Sequence, residues 1–451
     1  NHAENSPRMS APALLDTLVV IDGIKARPEL NGQLGLPRSF DDEKQRYAVH
    51  LVSDLTVVAL KAANLVGWAD AAPGPGATTA EEIDSASPTA LLRYMRDGCM
   101  LSTEGGLARA CLQRSMDLPF ATTGRELTAG GQIEMIVQSM DAHMHDRSEV
   151  FYLLMVISNT VVAGDQDIAG FSSIAAQMKD RAVAAGVYPR LAVALKTHTT
   201  SDIQCLALSV INAVATGGDF EATEARREAA GAMLPAVAAA MKLAPHRSNV
   251  CHFGMQAVAA TLARNEGVTA PPAARADKAI ELGLHSACID AMLRHGHIAG
   301  DKGVCMHKFE VTAFGVDDNG KGNEVQLLLP GSVLLAGCQA LHLMVTINGG
   351  NVGPNNEARI DALNAAGALK AIAAAVRVNP TFDSFRGHEE AGELEGMRIV
   401  QPLVVQLFGM RKMTDLVNAE DLATLMGDAA KPGLVLRAVM KFMEEEKAAG
   451  H

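Results

Sequence analysis

RAVAAGVYPRLAVAL (residues 181–195) decides the fold. A charged run leads into Gly186, and an apolar run begins at once with Leu191, Val193 and Leu195 following Tyr188. Glycine accepts a helix-ending conformation that a Cβ hinders, so Gly186 predicts a sharp corner between two helices. The same layout recurs in RREAAGAMLPAVAAAM around Gly231, DKAIELGLHSACIDAML around Gly283 and RIDALNAAGALKAIAAAV around Gly367. GGQIEMIVQSM, around Gly131, is a fifth segment that departs from the layout. The five glycines lie 55, 45, 52 and 84 residues apart. Self-similarity at such a period is the mark of stacked repeats.

A third helix is expected after each apolar one, in SEVFYLLMVISNTVVAG (148–164), SDIQCLALSVINAVATGG (201–218), SNVCHFGMQAVAATLARNEG (248–267) and GSVLLAGCQALHLMVTINGG (331–350). A serine at or near each start is a good N-cap, and Gly at or near each end is an ordinary stop. Glu149 and Asp202 suit the helix dipole. Excess length is assigned to loops at 165–179, 268–274 and 294–330. Three helices per unit with a glycine corner after the first resembles the armadillo repeat, over residues 88–413. The resemblance implies a right-handed α-solenoid of five units with a long insertion at 294–330. Residues 414–451 read as two helices that cap its open end, as terminal units must.

The segment LVVIDGIKARPELNGQLGLPRSFDDEKQRYAVHLVSDLTVVALKAANL differs from everything after it. β-like runs at Leu18–Ile21, Arg46–Leu51 and Thr56–Leu60 are separated by turns at Pro28–Gly35 and Asp41–Lys44. Short strands with this punctuation predict a small, bent barrel over 9–68. The segment resembles a small SH3-like β-barrel module found in algal and protist multidomain proteins. Such modules accompany ankyrin or armadillo repeats, or a MYND zinc finger whose Cys/His spacing this sequence lacks. Peptide grooves on such barrels are lined with aromatics, and only Phe40 and Tyr47 are available. The expected role is to cap or dock on the helices. Ala69–Ser87, rich in Pro, Gly and Ala, reads as a linker.

Composition agrees with a mostly α chain. Hydrophobic residues make up 48% and aromatics 4%, fewer than β-rich domains carry. The formal net charge of −12 and the lack of a basic stripe argue against nucleic acid as a partner. Seven dispersed cysteines without C-x-x-C predict reduced thiols and a cytoplasmic or other reducing compartment. Residues 1–8 precede Met9 and are set aside, and no secretory signal opens the chain. Val325–Asn356 carries no charged residue, but Pro330, Gly331, Gln339, His342 and Asn348 interrupt it, so a buried helix is expected and no membrane span.

Catalytic signatures are missing: no phosphate loop, dinucleotide fingerprint, H-E-x-x-H or nucleophile elbow occurs, so no cofactor is expected. Three clusters carry possible chemistry. His295, His297, Cys305 and His307 are candidate metal ligands, though their spacing matches no zinc module. His143 and His145 form a His-x-His turn. Asp317, Asn319 and Gly320 faintly suggest a calcium loop, and a flexible loop is the plainer reading of 316–324.

The armadillo resemblance implies a concave face lined by third helices, where Asn side chains clamp an extended peptide through paired donors and acceptors. The matching positions are Asn159, Asn212, Ala260 and Val345. Tryptophans expected one turn earlier are replaced by Met155, Leu208, Gln256 and Leu341. Only half of the Asn positions match, so the groove should be more apolar and take a protein surface or helix. The sequence therefore points to a scaffold or adaptor that binds a protein partner there, with the barrel and the 294–330 segment modifying access. An enzyme or metal-dependent binder at 294–308, and a structural subunit of a larger assembly, remain open. The oligomeric state is unknown from the sequence.

Overall fold

A computed structural model describes residues 14–71, 79–102, 106–118, 120–162, 172–217, 220–263, 273–295, 304–316, 322–330, 333–345, 356–378 and 403. The chain is mostly helical, and it divides into two compact units, Asn1–Arg190 and Leu191–His451. The expected tail helices at 414–451 lie outside the described residues.

The first unit opens with a five-stranded antiparallel sheet: β1 (Val19–Ile21), β2 (Leu34–Asp41), β3 (Arg46–Leu51), β4 (Val57–Leu60) and β5 (Leu65–Gly67), in the order β4-β3-β2-β1-β5. Three strands fall where the apolar runs placed them. β2 was not expected, because Gly35 and Pro37 break its pattern. The proline is tolerated because the register slips between Pro37 and Ser39, a bulge. β5 is only three residues long and pairs with β1. Val19, Ile21, Tyr47 and Val49 form a buried core. Tyr47 is wholly buried and stacks against Phe40 at 4.7 Å, so it is core rather than groove lining. Trp68 ties the sheet to the helices: its carbonyl accepts from Arg96 Nη1 at 2.7 Å, and the guanidinium lies 4.6 Å from the indole centre.

The stretch read as a linker carries α1 (Ala80–Asp84), closed by a capping box in which Thr79 and Glu82 exchange hydrogen bonds. α2 (Pro88–Arg96) starts on a Ser87 cap with proline in its first turn. α3 (Leu107–Asp117) follows.

Triplets begin with α4 (Phe120–Ala129), α5 (Gln132–His143) and α6 (Arg147–Val162). Next come α7 (Ser172–Ala184), α8 (Val187–Thr197) and α9 (Ser201–Ala215). α10 (Phe220–Gly231), α11 (Leu234–Leu243) and α12 (Ser248–Leu262) form the third triplet. α13 (Ala273–Glu281) and α14 (Leu284–His295) are separated from α15 (Val333–Val345) by two strands. α16 (Asn356–Ala365) and α17 (Ala368–Val378) open a fifth group.

Gly131, Gly186, Gly283 and Gly367 all turn their corners in the left-handed region, with φ between +72° and +87°. Gly131 thus belongs to the layout, and Gly231 is the exception. It has no positive φ; a Cβ there would lie 3.3 Å from Arg275 Cδ, so the small residue serves packing. The serines expected as caps also differ. Thr200 and Arg247 occupy the cap positions of α9 and α12 without a side-chain cap bond, while Asp146 accepts from the Glu149 amide at the start of α6.

Residues 294–330 are not one loop. β6 (Val304–Val316) and β7 (Gly322–Pro330) form an antiparallel hairpin, pairing Cys305 with Leu329, His307 with Leu327 and Phe309 with Val325. Met306–Leu328 and Lys308–Gln326 are the pairs between them, and Glu310–Glu324 follows. Part of 165–179 is likewise helix, as α7. The uncharged stretch from Val325 is divided between β7 and α15, and among the described residues no helix is long and apolar enough to cross a membrane.

Candidate partner-binding face

Within the second unit the third helices α9, α12 and α15 pack side by side, and β6 lies against α9 and α12. Small residues let second helices pack closely on two of these third helices. Gly254 of α12 faces Met241 of α11, where a Cβ would meet Met241 Cγ at 2.6 Å; Gly337 of α15 faces Met292 of α14 in the same way, at 2.5 Å. Methionine adapts to such gaps because its chain is unbranched.

The partly exposed residues of α9 are Leu206, Ser209 and Asn212, three apart, which makes a stripe along one face. Gln256 is the partly exposed residue in the middle of α12. On α15, Gln339 is exposed and His342 partly so. The accessible chemistry of this row is therefore amide, hydroxyl, imidazole and, at Leu206 and Leu343, alkyl, without formal charge. Burial pushes the His342 ring down to about 4, so it is neutral at pH 7.

Four of the positions carried over from the armadillo resemblance are not accessible. Leu208 and Leu341 are wholly buried, and Ala260 and Val345 are buried too, covered by neighbouring helices. Asn212 and Gln256 remain accessible. In the first unit, Asn159 is exposed on α6 and Met155 one turn earlier is partly exposed.

At three of the four third-helix starts the residue after the serine is polar and buried. Glu149 accepts from Arg109 Nη2 at 2.8 Å, Asp202 accepts from the Ile203 amide at 2.9 Å, and Asn249 accepts from the Val250 amide at 3.0 Å.

His295 is buried at the end of α14, with Nε2 2.9 Å from the Pro245 carbonyl oxygen. His297 lies outside the described residues. Cys305 and His307 are on β6. His143 is buried with Nε2 2.8 Å from the Met100 carbonyl oxygen, whereas His145 is exposed, so the two do not converge. Of the suspected calcium loop, 317–321 lies outside the described residues. Among the described residues no group of three His, Cys, Asp or Glu side chains could hold a metal ion. The six cysteines at 99, 111, 205, 251, 288 and 338 are all buried and none is in a disulfide. Burial raises the Cys251 thiol to about 11 and Cys338 to about 12, which leaves both protonated and unreactive at neutral pH.

Two features were missed in the sequence. The hairpin had a visible signal, Asn319-Gly320 between alternating apolar residues. The other is a set of arginines on first helices. Arg275 of α13 donates to Glu224 and Glu228 of α10 at 2.6 and 2.7 Å, and Arg359 of α16 donates to Asp277 of α13 at 2.6 Å. In the first unit Arg181 of α7 binds Glu134 of α5 and the Thr128 carbonyl of α4. Each links a first helix to the triplet before it. No protein family, curated protein or solved structure matches this chain.

Proposed function

We propose that this chain is a protein-binding scaffold of armadillo-like repeats that holds an extended partner segment along its third helices. One observation carries the reading: the chain's own strand β6 packs against α9 and α12, so these third helices take an extended backbone alongside them. The side-chain amides of Asn212 on α9 and Gln256 on α12 are partly exposed and can give and accept hydrogen bonds with a second such backbone. Five helix groups, four of them with a glycine corner, support the repeat assignment. The strand order β4-β3-β2-β1-β5, with a 3-10 turn at Ala62–Asn64 before β5, supports an SH3-like reading of the N-terminal sheet. Its aromatic residues are in or against the core, which favours a supporting role over peptide capture.

The test is recovery of a common partner from a lysate of the source cells by the full chain and by Asn212→Arg and Gln256→Arg. Both sites are partly exposed, so the variants fold. Recovery should fall about tenfold in each, the loss typical of a contact at the centre of an interface. Equal recovery by folded variants overturns the reading. Replacing residues 304–330 with a short Gly/Ser segment should raise recovery, because β6 then no longer competes for the face.

A further inference from the structure

The first unit holds a cavity of about 310 Å³ between the N-terminal sheet and helices α4 and α7. Its lining includes Arg38 and His50 from the sheet, Arg125 from α4 and Arg181 from α7, and no Asp or Glu. That concentration of cations is unusual in a chain of net charge −12. Two of the guanidinium groups are already balanced. Arg38 donates to Asp16 at 2.7 Å, and Arg181 binds Glu134. Arg125 is different: it is partly buried and has no ion-pair partner among the described residues. Its guanidinium nitrogens reach solvent, so their donors are open to an anion that enters the cavity.

The rest of the wall is apolar, with Leu36, Leu51 and Leu55 on the sheet side. Leu55 holds φ at +64°, a region a leucine rarely adopts, and its side chain is 54% exposed beside the cavity. Strained backbone of this kind gathers at ligand sites, where surrounding structure holds it in place. The tight turn that carries it is closed by the Leu55 amide donating to the Leu51 carbonyl at 2.9 Å. The volume falls at the small end of ligand sites.

We propose that this cavity binds a small organic oxyanion, with its phosphate or carboxylate on Arg125 and the free donor edges of Arg38 and Arg181, and its apolar body against the leucines. Guanidinium forks match the geometry of both groups, and five N–H donors per arginine leave several for a ligand after one carboxylate is served. This site is independent of the third-helix face.

Isothermal titration of the full chain with phenyl phosphate, benzoate and inorganic phosphate tests the assignment. Phenyl phosphate or benzoate should bind saturably and more weakly as NaCl rises, and whichever binds tighter names the oxyanion. Arg125→Gln should lower that affinity about tenfold or more, as expected for loss of a charged hydrogen bond, and Arg125→Lys should restore part of it. Leu55→Gly relieves the backbone strain, so it should fold at least as well as the parent yet bind phenyl phosphate more weakly. Absence of saturable binding of any probe at millimolar concentration overturns the proposal. So does an affinity unchanged by Arg125→Gln, or inorganic phosphate binding as tightly as both aromatic probes.

Discussion

Arg275 in the second unit and Arg181 in the first make the same kind of link, from a first helix to the triplet before it, in different surroundings. The Arg275 side chain is 6% exposed and wedged over Gly231, whose missing Cβ leaves it room. The Arg181 side chain is 33% exposed and forms part of a cavity wall. One device thus serves dry packing in one unit and borders an open, positively charged space in the other. Burial, and not the ion pair itself, sets how much each link contributes.

Removing the two arginines is the strongest way to break that contrast. Arg275→Met should destabilise the second unit by about 3 kcal/mol, because Glu224 is left poorly compensated. Arg181→Met should cost only about 1 kcal/mol, since the Glu134 side chain is partly exposed and its carboxylate can resolvate. Urea unfolding followed by hydrogen exchange in each unit measures the difference, and equal losses would show that exposure does not decide it.

Two glycines sharpen the comparison next. A Cβ on Gly130 would lie 2.4 Å from Leu92 Cδ1, and one on Gly254 would lie 2.6 Å from Met241 Cγ. Leucine is branched and fixed in the core, whereas methionine can move aside. Gly130→Ala should therefore cost about 2–3 kcal/mol and Gly254→Ala about 1 kcal/mol. Adding Met241→Ala should make the Gly254→Ala step nearly neutral, which a double-mutant cycle reads directly.

Acid pH separates the units through histidine. His342 is held low by burial, near 4, against about 6.5 when unfolded, and burial also lowers His285. The unfolded state therefore binds more protons between those values, and stability is lost as pH falls from about 6.5 toward 4. At most about 2 kcal/mol should be lost from His342 between pH 7 and 5. The loss should appear in hydrogen exchange of the second unit, and His342→Gln should flatten that pH dependence.

The smallest expected effect compares corners. Gly186→Ala should cost about 1–2 kcal/mol, because its φ of +82° lies in the left-handed region. Gly231→Ala should change stability by less than about 1 kcal/mol, since its backbone is unstrained and the 3.3 Å approach to Arg275 Cδ can relax. A Gly231→Ala loss as large as that of Gly186→Ala would assign both to corner geometry.

The sequence alone determined the helix groups, because 3.6-residue periodicity and glycine stops are local properties of the chain. It placed β1, β3 and β4 for the same reason, since β-branched runs and turn residues are read within a few positions. It also limited the site chemistry, by showing Asn at 159 and 212 and no tryptophan in front of either. Only the tertiary structure decided which side of each third helix is covered. Leu208 and Asn212 are one turn apart on α9, yet one is core and the other accessible, because burial depends on neighbours far away in the chain. The arginine links and the cavity beside Arg125 were hidden for the same reason: each joins residues dozens of positions apart, where no local period connects them.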